Sequence, residues 1–128
     1  FTQWVVSLPI PPIGIVIAAM IMYVLLGCIM EPLGMLFITL PVIFPAIKAL
    51  GVDPIWFCIL LVQTMEIGVI TPPVGMNVYV LKSVVPDMTL EEIFQGTSWM
   101  LVIQILCLVI LLIFPAIAMF LPGLMSVK

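Results

Sequence analysis

The chain has 128 residues, of which 66% are hydrophobic and 7% charged, with a formal net charge of −3 and no histidine. A water-soluble domain carries roughly 25% charged residues because its surface must face water, so lipid must cover much of this one. The chain lacks a basic patch for nucleic-acid binding. Without histidine, Ser/His, Cys/His and most zinc chemistry is excluded, and we expect no enzyme.

The N-terminal residues belong to a hydrophobic pattern that is already under way at Phe1. They lack the basic region and the small-residue cleavage site of a signal peptide. We therefore expect residues 1–128 to form a single membrane-domain fragment of a longer, multi-pass protein.

Two uncharged runs come first. Residues 13–30 would span about 27 Å as a helix, near the thickness of a bilayer core. A charge, a proline and a glycine cluster at residues 31–34, and a second run follows at 35–50. Residues 13–50 form either a helical hairpin or two full spans, and the residues alone leave both open. The second run contains two prolines that should kink it, Pro41 and Pro45.

A discontinuous helix is expected over residues 54–82. Asp53 suits the N-cap and Pro54 the first helical position, and Trp56 lies one turn in, where an aromatic-belt residue would sit. Pro72 and Pro73 interrupt the pattern within residues 71–75. The sequence therefore predicts one helix before the interruption and another after it.

The interruption predicts free backbone groups of both kinds. Pro72 and Pro73 have no N–H for the carbonyls of Gly68 and Val69, and such backbone survives in a membrane only in protein or beside a wet cavity. The free carbonyls suit a hard cation. The resumed helix presents free N–H groups that suit an anion, helped by Asn77. A simple proline kink is the alternative interpretation.

The last elements are expected to be a short amphipathic helix and a terminal transmembrane helix. Thr89 and Glu92 have the spacing of a capping box, which predicts an interfacial helix over residues 89–96. Residues 98–121 are uncharged and long enough to cross a bilayer. The periodicity is helical throughout, so the fold class is an all-α integral membrane protein.

Two carboxylates fall outside the segment ends and loops that hold the other charges. Glu31 and Glu66 each lie beside a helix breaker. A carboxylate at membrane depth costs roughly 2.5–3.5 kcal/mol on insertion scales, so both are candidates for a substrate or ion pathway. The alternatives are an interfacial turn residue for Glu31 and a protonated, hydrogen-bonding group between helices for Glu66.

Two stretches of the sequence resemble one transporter family. Residues 51–57 (GVDPIWF) and 66–78 (EIGVITPPVGMNV) look like the C-terminal half of the large membrane subunit of TRAP transporters, the DctM type. The resemblance implies a multi-pass protein of the bacterial inner membrane and a sodium-coupled, elevator-type importer of organic acids such as C4-dicarboxylates. It also implies two partners, a small membrane subunit and a periplasmic substrate-binding protein.

The same resemblance implies a fold and a site. Residues 13–50 would be a re-entrant-type hairpin and residues 54–82 a broken helix, within one inverted repeat. Sodium would be the coupling ion, and no other cofactor is implied. The implied sodium ligands are backbone groups of Gly68, Ile70 and Pro73, with Thr71 close by. The resemblance also places Glu31 at an acidic position near the hairpin tip. Together with the residues that the interruption and the buried charges single out, the candidate substrate or pathway residues are Glu31, Glu66, Gly75 and Asn77.

Two further hypotheses remain open at this point. One is an ion-coupled carboxylate or anion transporter of a related superfamily that works without a binding protein. The other is a non-transporting membrane scaffold, in which Glu31 and the residues 71–75 would face lipid or a partner helix.

Overall fold

The computed structural model describes residues 2–7, 9–71 and 75–125, and the regular elements in these ranges are all α-helices. The prediction of an all-α fold is confirmed for this part of the chain. Pro72 and Pro73, on which the predicted interruption depends, lie outside the described residues. The helices in chain order are α1 Thr2–Val6, α2 Pro12–Gly27, α3 Pro32–Ala49, α4 Pro54–Ile70, α5 Met76–Val84, α6 Leu90–Ile113 and α7 Pro115–Met125.

Side-chain caps explain where three of these helices begin. The carboxylate of Glu31 accepts hydrogen bonds from two backbone N–H groups in the first turn of α3, and Asp53 does the same for α4. Thr89 and Glu92 form a complete capping box at the start of α6. These groups satisfy N–H donors that have no partner inside the helix. The predicted cap at Asp53 and the predicted capping box are confirmed.

The core lies where α2, α3 and α4 meet, and α2 packs most extensively against α4. Tyr23 of α2 is fully buried, and its hydroxyl lies 2.7 Å from Oγ1 of Thr39 in α3. Because Thr39 donates its own proton to the carbonyl of Met35, Tyr23 is the donor between the two hydroxyls. This hydrogen bond joins the two arms of the segment 13–50.

The end of the chain differs from the prediction. The structure has one continuous helix, α6, through the boundary that separated residues 89–96 from 98–121. No proline lies in this stretch, and a single glycine, Gly96, costs a helix only about 1 kcal/mol. The helix ends at Ile113 instead, because Pro115 pushes Phe114 out of helical geometry, to φ −116° and ψ 74°.

Trp56 also differs from its predicted place in an aromatic belt. Its side chain is buried, and the indole N–H donates to the carbonyl of Leu111 in α6 at 2.9 Å. Trp56 therefore holds α4 against α6.

The outer surface of the described helices is apolar. Among the residues of α6 only Ile93 is buried, and Trp99 is 76% exposed. Two of the described helices, α3 and α6, are long and apolar enough to cross a membrane by length and composition. Lipid or other membrane helices must cover such a surface, as the composition predicts.

Candidate functional site

The end of α4 has its own pattern of hydrogen bonds. Thr71 leaves the helix in extended geometry, with φ −84° and ψ 132°. Its N–H donates to the carbonyl of Gly68 at 3.1 Å, and its hydroxyl donates to the carbonyl of Ile67 at 2.5 Å. Gly68 therefore lacks its α-helical partner, as predicted, but its oxygen already accepts one bond. Among the described residues, the N–H of Thr71 is the donor to that oxygen.

The last two carbonyls of α4 belong to Val69 and Ile70. In a continued helix the oxygen of Val69 would accept from residue 73, but this residue is Pro73, which has no N–H. The end of α4 therefore carries carbonyl oxygens that the helix itself cannot satisfy. The proposed ligand Pro73 lies outside the described residues.

Gly75 turns the chain into α5 in left-handed geometry, with φ +50° and ψ 71°. It is buried, and a β-carbon at this position would stand 3.4 Å from the carbonyl oxygen of Thr71. The start of α5 is thus folded back against the end of α4. Its first turn is tight, because the N–H of Val78 donates to the carbonyl of Gly75 at 2.8 Å.

A close backbone contact brings the loop between α2 and α3 to the same place. A β-carbon on Gly68 would stand 2.8 Å from the Cα of Gly27, the last residue of α2. Small residues allow membrane helices to approach in this way. The loop that follows Gly27 leads directly to Glu31, so Glu31 and the end of α4 share one side of the structure.

A cavity of about 620 Å³ lies between these elements and α6. It brings together three of the predicted pathway residues, Glu31, Glu66 and Asn77. Gly68, Thr71 and Gly75 are not among the residues that line it, although Val69 and Ile70 are. The described residues that line it are Glu31, Pro32, Val62, Met65, Glu66, Val69, Ile70, Met76, Asn77, Thr97, Met100 and Gln104.

Two carboxyl groups line the cavity, those of Glu31 and Glu66. Glu31 is exposed, and hydrogen bonds from the N–H groups of Gly34 and Leu33 hold its pKa below the usual value, so it is ionised at neutral pH. The described lysines are placed elsewhere: Lys82 donates to backbone carbonyls of residues 86 and 88, and Lys48 lies over the ring of Phe44. No cationic side chain of the described ranges lines the cavity.

Two polar residues of α6 complete the lining. The hydroxyl of Thr97 donates to the carbonyl of Ile93 at 3.0 Å. The carboxamide oxygen of Gln104 is buried and has no hydrogen-bond partner among the residues that the structure describes. Neither Gln104 nor Thr97 is among the residues predicted for the site. The sequence feature that could have indicated Gln104 is its polar amide, because it lies in an uncharged, mainly apolar segment.

The start of α5 lines the same cavity. Met76 and Asn77 line it, and both belong to the first turn of the helix. Backbone N–H groups of a first turn have no acceptor inside the helix, and they carry the positive end of its dipole. The cavity thus lies between the last turn of α4, which contributes Val69 and Ile70, and the first turn of α5.

Comparison with known proteins gives a family match over nearly the whole chain. The family model for "Tripartite ATP-independent periplasmic transporter, DctM component" matches residues 1–117. No solved structure matches.

Several curated proteins are similar in sequence. The chain is 36% identical over 121 residues to the C4-dicarboxylate TRAP transporter large permease protein DctM of Pseudomonas aeruginosa, covering 94% of this chain and 28% of that protein. It is 36% identical over 124 residues to the Vibrio cholerae protein of the same name, covering 97% and 27%. It is 30% identical over 113 residues to the sialic acid TRAP transporter large permease protein SiaM of Vibrio cholerae, covering 88% and 26%. The chain thus spans little more than a quarter of the length of these relatives, which are permeases and not enzymes.

Proposed function

This chain belongs to the DctM component family of tripartite ATP-independent periplasmic transporters, and we propose that it forms part of the ion and substrate pathway of a sodium-coupled organic-acid importer. The importer works in the bacterial inner membrane with a small membrane subunit and a periplasmic substrate-binding protein. The segment 13–50 acts as the re-entrant hairpin of an elevator-type repeat.

The observation that carries the proposal is the end of α4 at Ile70 and the separate start of α5 at Met76. In a membrane, backbone without helical partners is tolerated where it is buried in protein or lines a cavity. The oxygens of Gly68, Ile70 and Pro73 and the hydroxyl oxygen of Thr71 form the proposed sodium site. Oxygen ligands of this kind suit a hard cation.

The proposed substrate position is the cavity beside the start of α5. An acidic group of the substrate accepts hydrogen bonds from the first-turn N–H groups at Met76 and Asn77. Half-helix N-termini hold anionic groups in this way in other secondary transporters. Gly75 provides the turn that exposes these donors, because its left-handed φ of +50° is easily reached only by glycine.

The carboxylate of Glu31 supports the proposed coupling to a cation. Glu31 lines the space into which an organic anion must move, and hydrogen bonds from Leu33 and Gly34 favour its charged form. Like charges repel most strongly where water is scarce. A sodium ion bound at the end of α4 offsets this repulsion, so uptake of the acid depends on sodium.

The names of the relatives support a substrate class. They include C4-dicarboxylates and sialic acid, which carry carboxylates, as well as isethionate and ectoine. We propose a C4-dicarboxylate or another small organic acid for this chain.

The test is sodium-driven uptake by the full-length permease with its small subunit and binding protein in proteoliposomes. Thr71→Val removes the hydroxyl at the proposed site, and we expect the sodium concentration for half-maximal uptake to rise roughly tenfold, a loss of about 1.4 kcal/mol. Thr71→Ser retains the hydroxyl and should stay near the wild type. Thr64→Val is the matched control, because Thr64 makes the same kind of bond to Leu60 in the middle of α4, at 2.6 Å.

The two other hypotheses predict different outcomes. A transporter that works without a binding protein would keep its uptake when that protein is left out of the assay. A membrane scaffold would show no uptake under any condition. Equal sodium activation in Thr71→Val, Thr64→Val and the wild type would rule out the proposed sodium site.

A further inference from the structure

The turn between α5 and α6 is folded around the side chain of Lys82. Lys82 lies in the last turn of α5. Its ammonium group donates hydrogen bonds to the backbone carbonyls of Pro86, at 2.8 Å, and of Met88. Hydrogen bonds from a charged donor are roughly twice as strong as those between neutral groups. One side chain of α5 therefore fixes the path of the chain that leads to α6.

The start of α6, which follows this turn, is itself firmly held. The capping box of Thr89 and Glu92 closes its first turn, and the next residue, Ile93, is 2% exposed. Lys82 also interacts electrostatically with the carboxylate of Glu92. Lys82 thus joins the end of α5 to a helix start that is both capped and packed.

The body of α5 has few contacts that could hold it in place. It is nine residues long, and Val78 is the only one of them that the described part of the chain buries. A segment with few buried apolar contacts opens or shifts at little cost in free energy. The direction of α5 therefore depends on its two ends, the left-handed turn at Gly75 and the hydrogen bonds of Lys82.

This direction matters for the cavity, although Lys82 does not line it. Lys82 follows Asn77 by five residues, which is about 7.5 Å along the helix axis. We propose that Lys82 is a positioning residue for the proposed substrate site, because it holds α5 against α6 and thereby places the N–H groups at Met76 and Asn77. The proposal rests on the proposed function, in which these N–H groups bind the acidic group of the substrate.

The alternative role for Lys82 is attraction of an organic acid by its positive charge at a distance. Ionic strength separates the two roles. The screening length in water falls from about 10 Å at 0.1 M salt to about 3 Å at 1 M, so attraction at a distance is lost at high salt. Hydrogen bonds made within the protein at contact distance are much less sensitive to salt.

The experiment uses the purified full-length permease with its small membrane subunit, and neither readout depends on transport. Hydrogen–deuterium exchange of residues 76–84 reports how firmly α5 is held. Equilibrium binding of radiolabelled succinate, a C4-dicarboxylate, is measured at saturating sodium, at low and at high ionic strength set with choline chloride.

The variants separate the hydrogen bonds of Lys82 from its position in the helix. Lys82→Met keeps a long side chain without donors or charge, and Lys82→Arg keeps both. Lys48→Met is the matched control, because Lys48 also lies in the last turn of a helix but sits over the ring of Phe44. We expect Lys82→Met to speed exchange of residues 76–84 and to weaken succinate binding, each roughly tenfold and at both ionic strengths. Lys82→Arg and Lys48→Met should stay near the wild type.

Four results would overturn the proposal. One is unchanged exchange of residues 76–84 in Lys82→Met. Another is faster exchange with unchanged succinate binding, which would make Lys82 a purely structural residue. A third is a difference in binding between Lys82→Met and the wild type that disappears at high ionic strength. The last, which decides the case if Lys82→Met fails to fold, is faster exchange and weaker binding in Lys82→Arg.

Failure of the proposed function would have a different signature. A wild type that binds no succinate at any sodium concentration would refute the proposed substrate class. The exchange of residues 76–84 would still test whether Lys82 holds α5 in place.

Discussion

Gly27 and Gly68 pack backbone against backbone, so that a β-carbon on Gly68 would stand 2.8 Å from the Cα of Gly27 and 3.0 Å from the carbonyl oxygen of Val24. This contact joins the end of α2 to the last turn of α4. On one side the chain continues to Glu31, and on the other it continues to Thr71. The hairpin loop and the proposed sodium site are therefore held in one fixed relationship.

Gly68→Ala should destabilise the permease. An alanine usually stabilises a helix relative to glycine, but here the added methyl group meets backbone atoms that cannot rotate away. Overpacking of this kind costs about 1–3 kcal/mol. The matched control is Gly96→Ala in α6, where nothing lies within 4 Å of the added atom. Thermal unfolding of the full-length protein should show a lower midpoint for Gly68→Ala and an equal or higher one for Gly96→Ala. Equal midpoints in the two variants would refute the importance of the contact.

Gly75→Ala should impair uptake beyond its effect on stability. Gly75 and Gly51 both have left-handed geometry, with φ of +50° and +73°. An alanine in this geometry costs about 1–2 kcal/mol at either position. Only Gly75 precedes the proposed substrate-binding turn of α5, so Gly75→Ala should lower sodium-driven uptake several-fold while Gly51→Ala should retain it. Uptake that falls equally in the two variants, at equal unfolding midpoints, would argue against a role for this turn.

Tyr23→Phe should cost about 1 kcal/mol of unfolding free energy, the usual net value of one hydrogen bond. The loss stays modest because Thr39 keeps its own bond to the carbonyl of Met35. Tyr79→Phe is the control, since Tyr79 is half exposed. Chemical or thermal unfolding of the full-length protein measures both. A Tyr23→Phe variant as stable as Tyr79→Phe would show that the bond between α2 and α3 contributes nothing.

Glu31 caps the start of α3, and its ionisation should make the stability of the fold depend on pH. Its pKa is lowered by the N–H groups of Gly34 and Leu33. A carboxyl group whose pKa is lowered by folding stabilises the fold above its unfolded pKa of about 4.3 and loses this effect as pH falls through the lower folded value. Glu31→Gln should therefore weaken the fall in the unfolding midpoint as pH drops below about 4.3. An identical pH profile in the variant and the wild type would contradict this cap.

The sequence predicted the features that depend on neighbouring residues in the chain. Asp53, Pro54 and the pair Thr89 and Glu92 act through local backbone chemistry, so their pattern is sufficient. The contact of Gly27 with Gly68, and the buried place of Trp56 against α6, depend on how distant helices meet. Gln104 illustrates the same limit. Whether its carboxamide oxygen finds a hydrogen-bond donor depends on helices that are distant in sequence, and the described residues supply none.

The continuity of α6 was missed for another reason. The change from charged to apolar residues after Gln95 marks a change of environment, and this was interpreted as a change of element. A helix crosses such a boundary without interruption when no proline or cap residue ends it. The proline that does end α6, Pro115, lies inside residues 98–121, which are expected to form one helix.

The most direct test of the central claim is a density map of the full-length permease prepared in sodium and again with sodium replaced by choline. In the sodium map we expect density for an ion between the end of α4 and the start of α5, within coordination distance of the oxygens of Gly68, Ile70 and Thr71. This density should be absent from the map without sodium. A continuous helix through residues 71–75, or protein atoms filling this space in both maps, would contradict it.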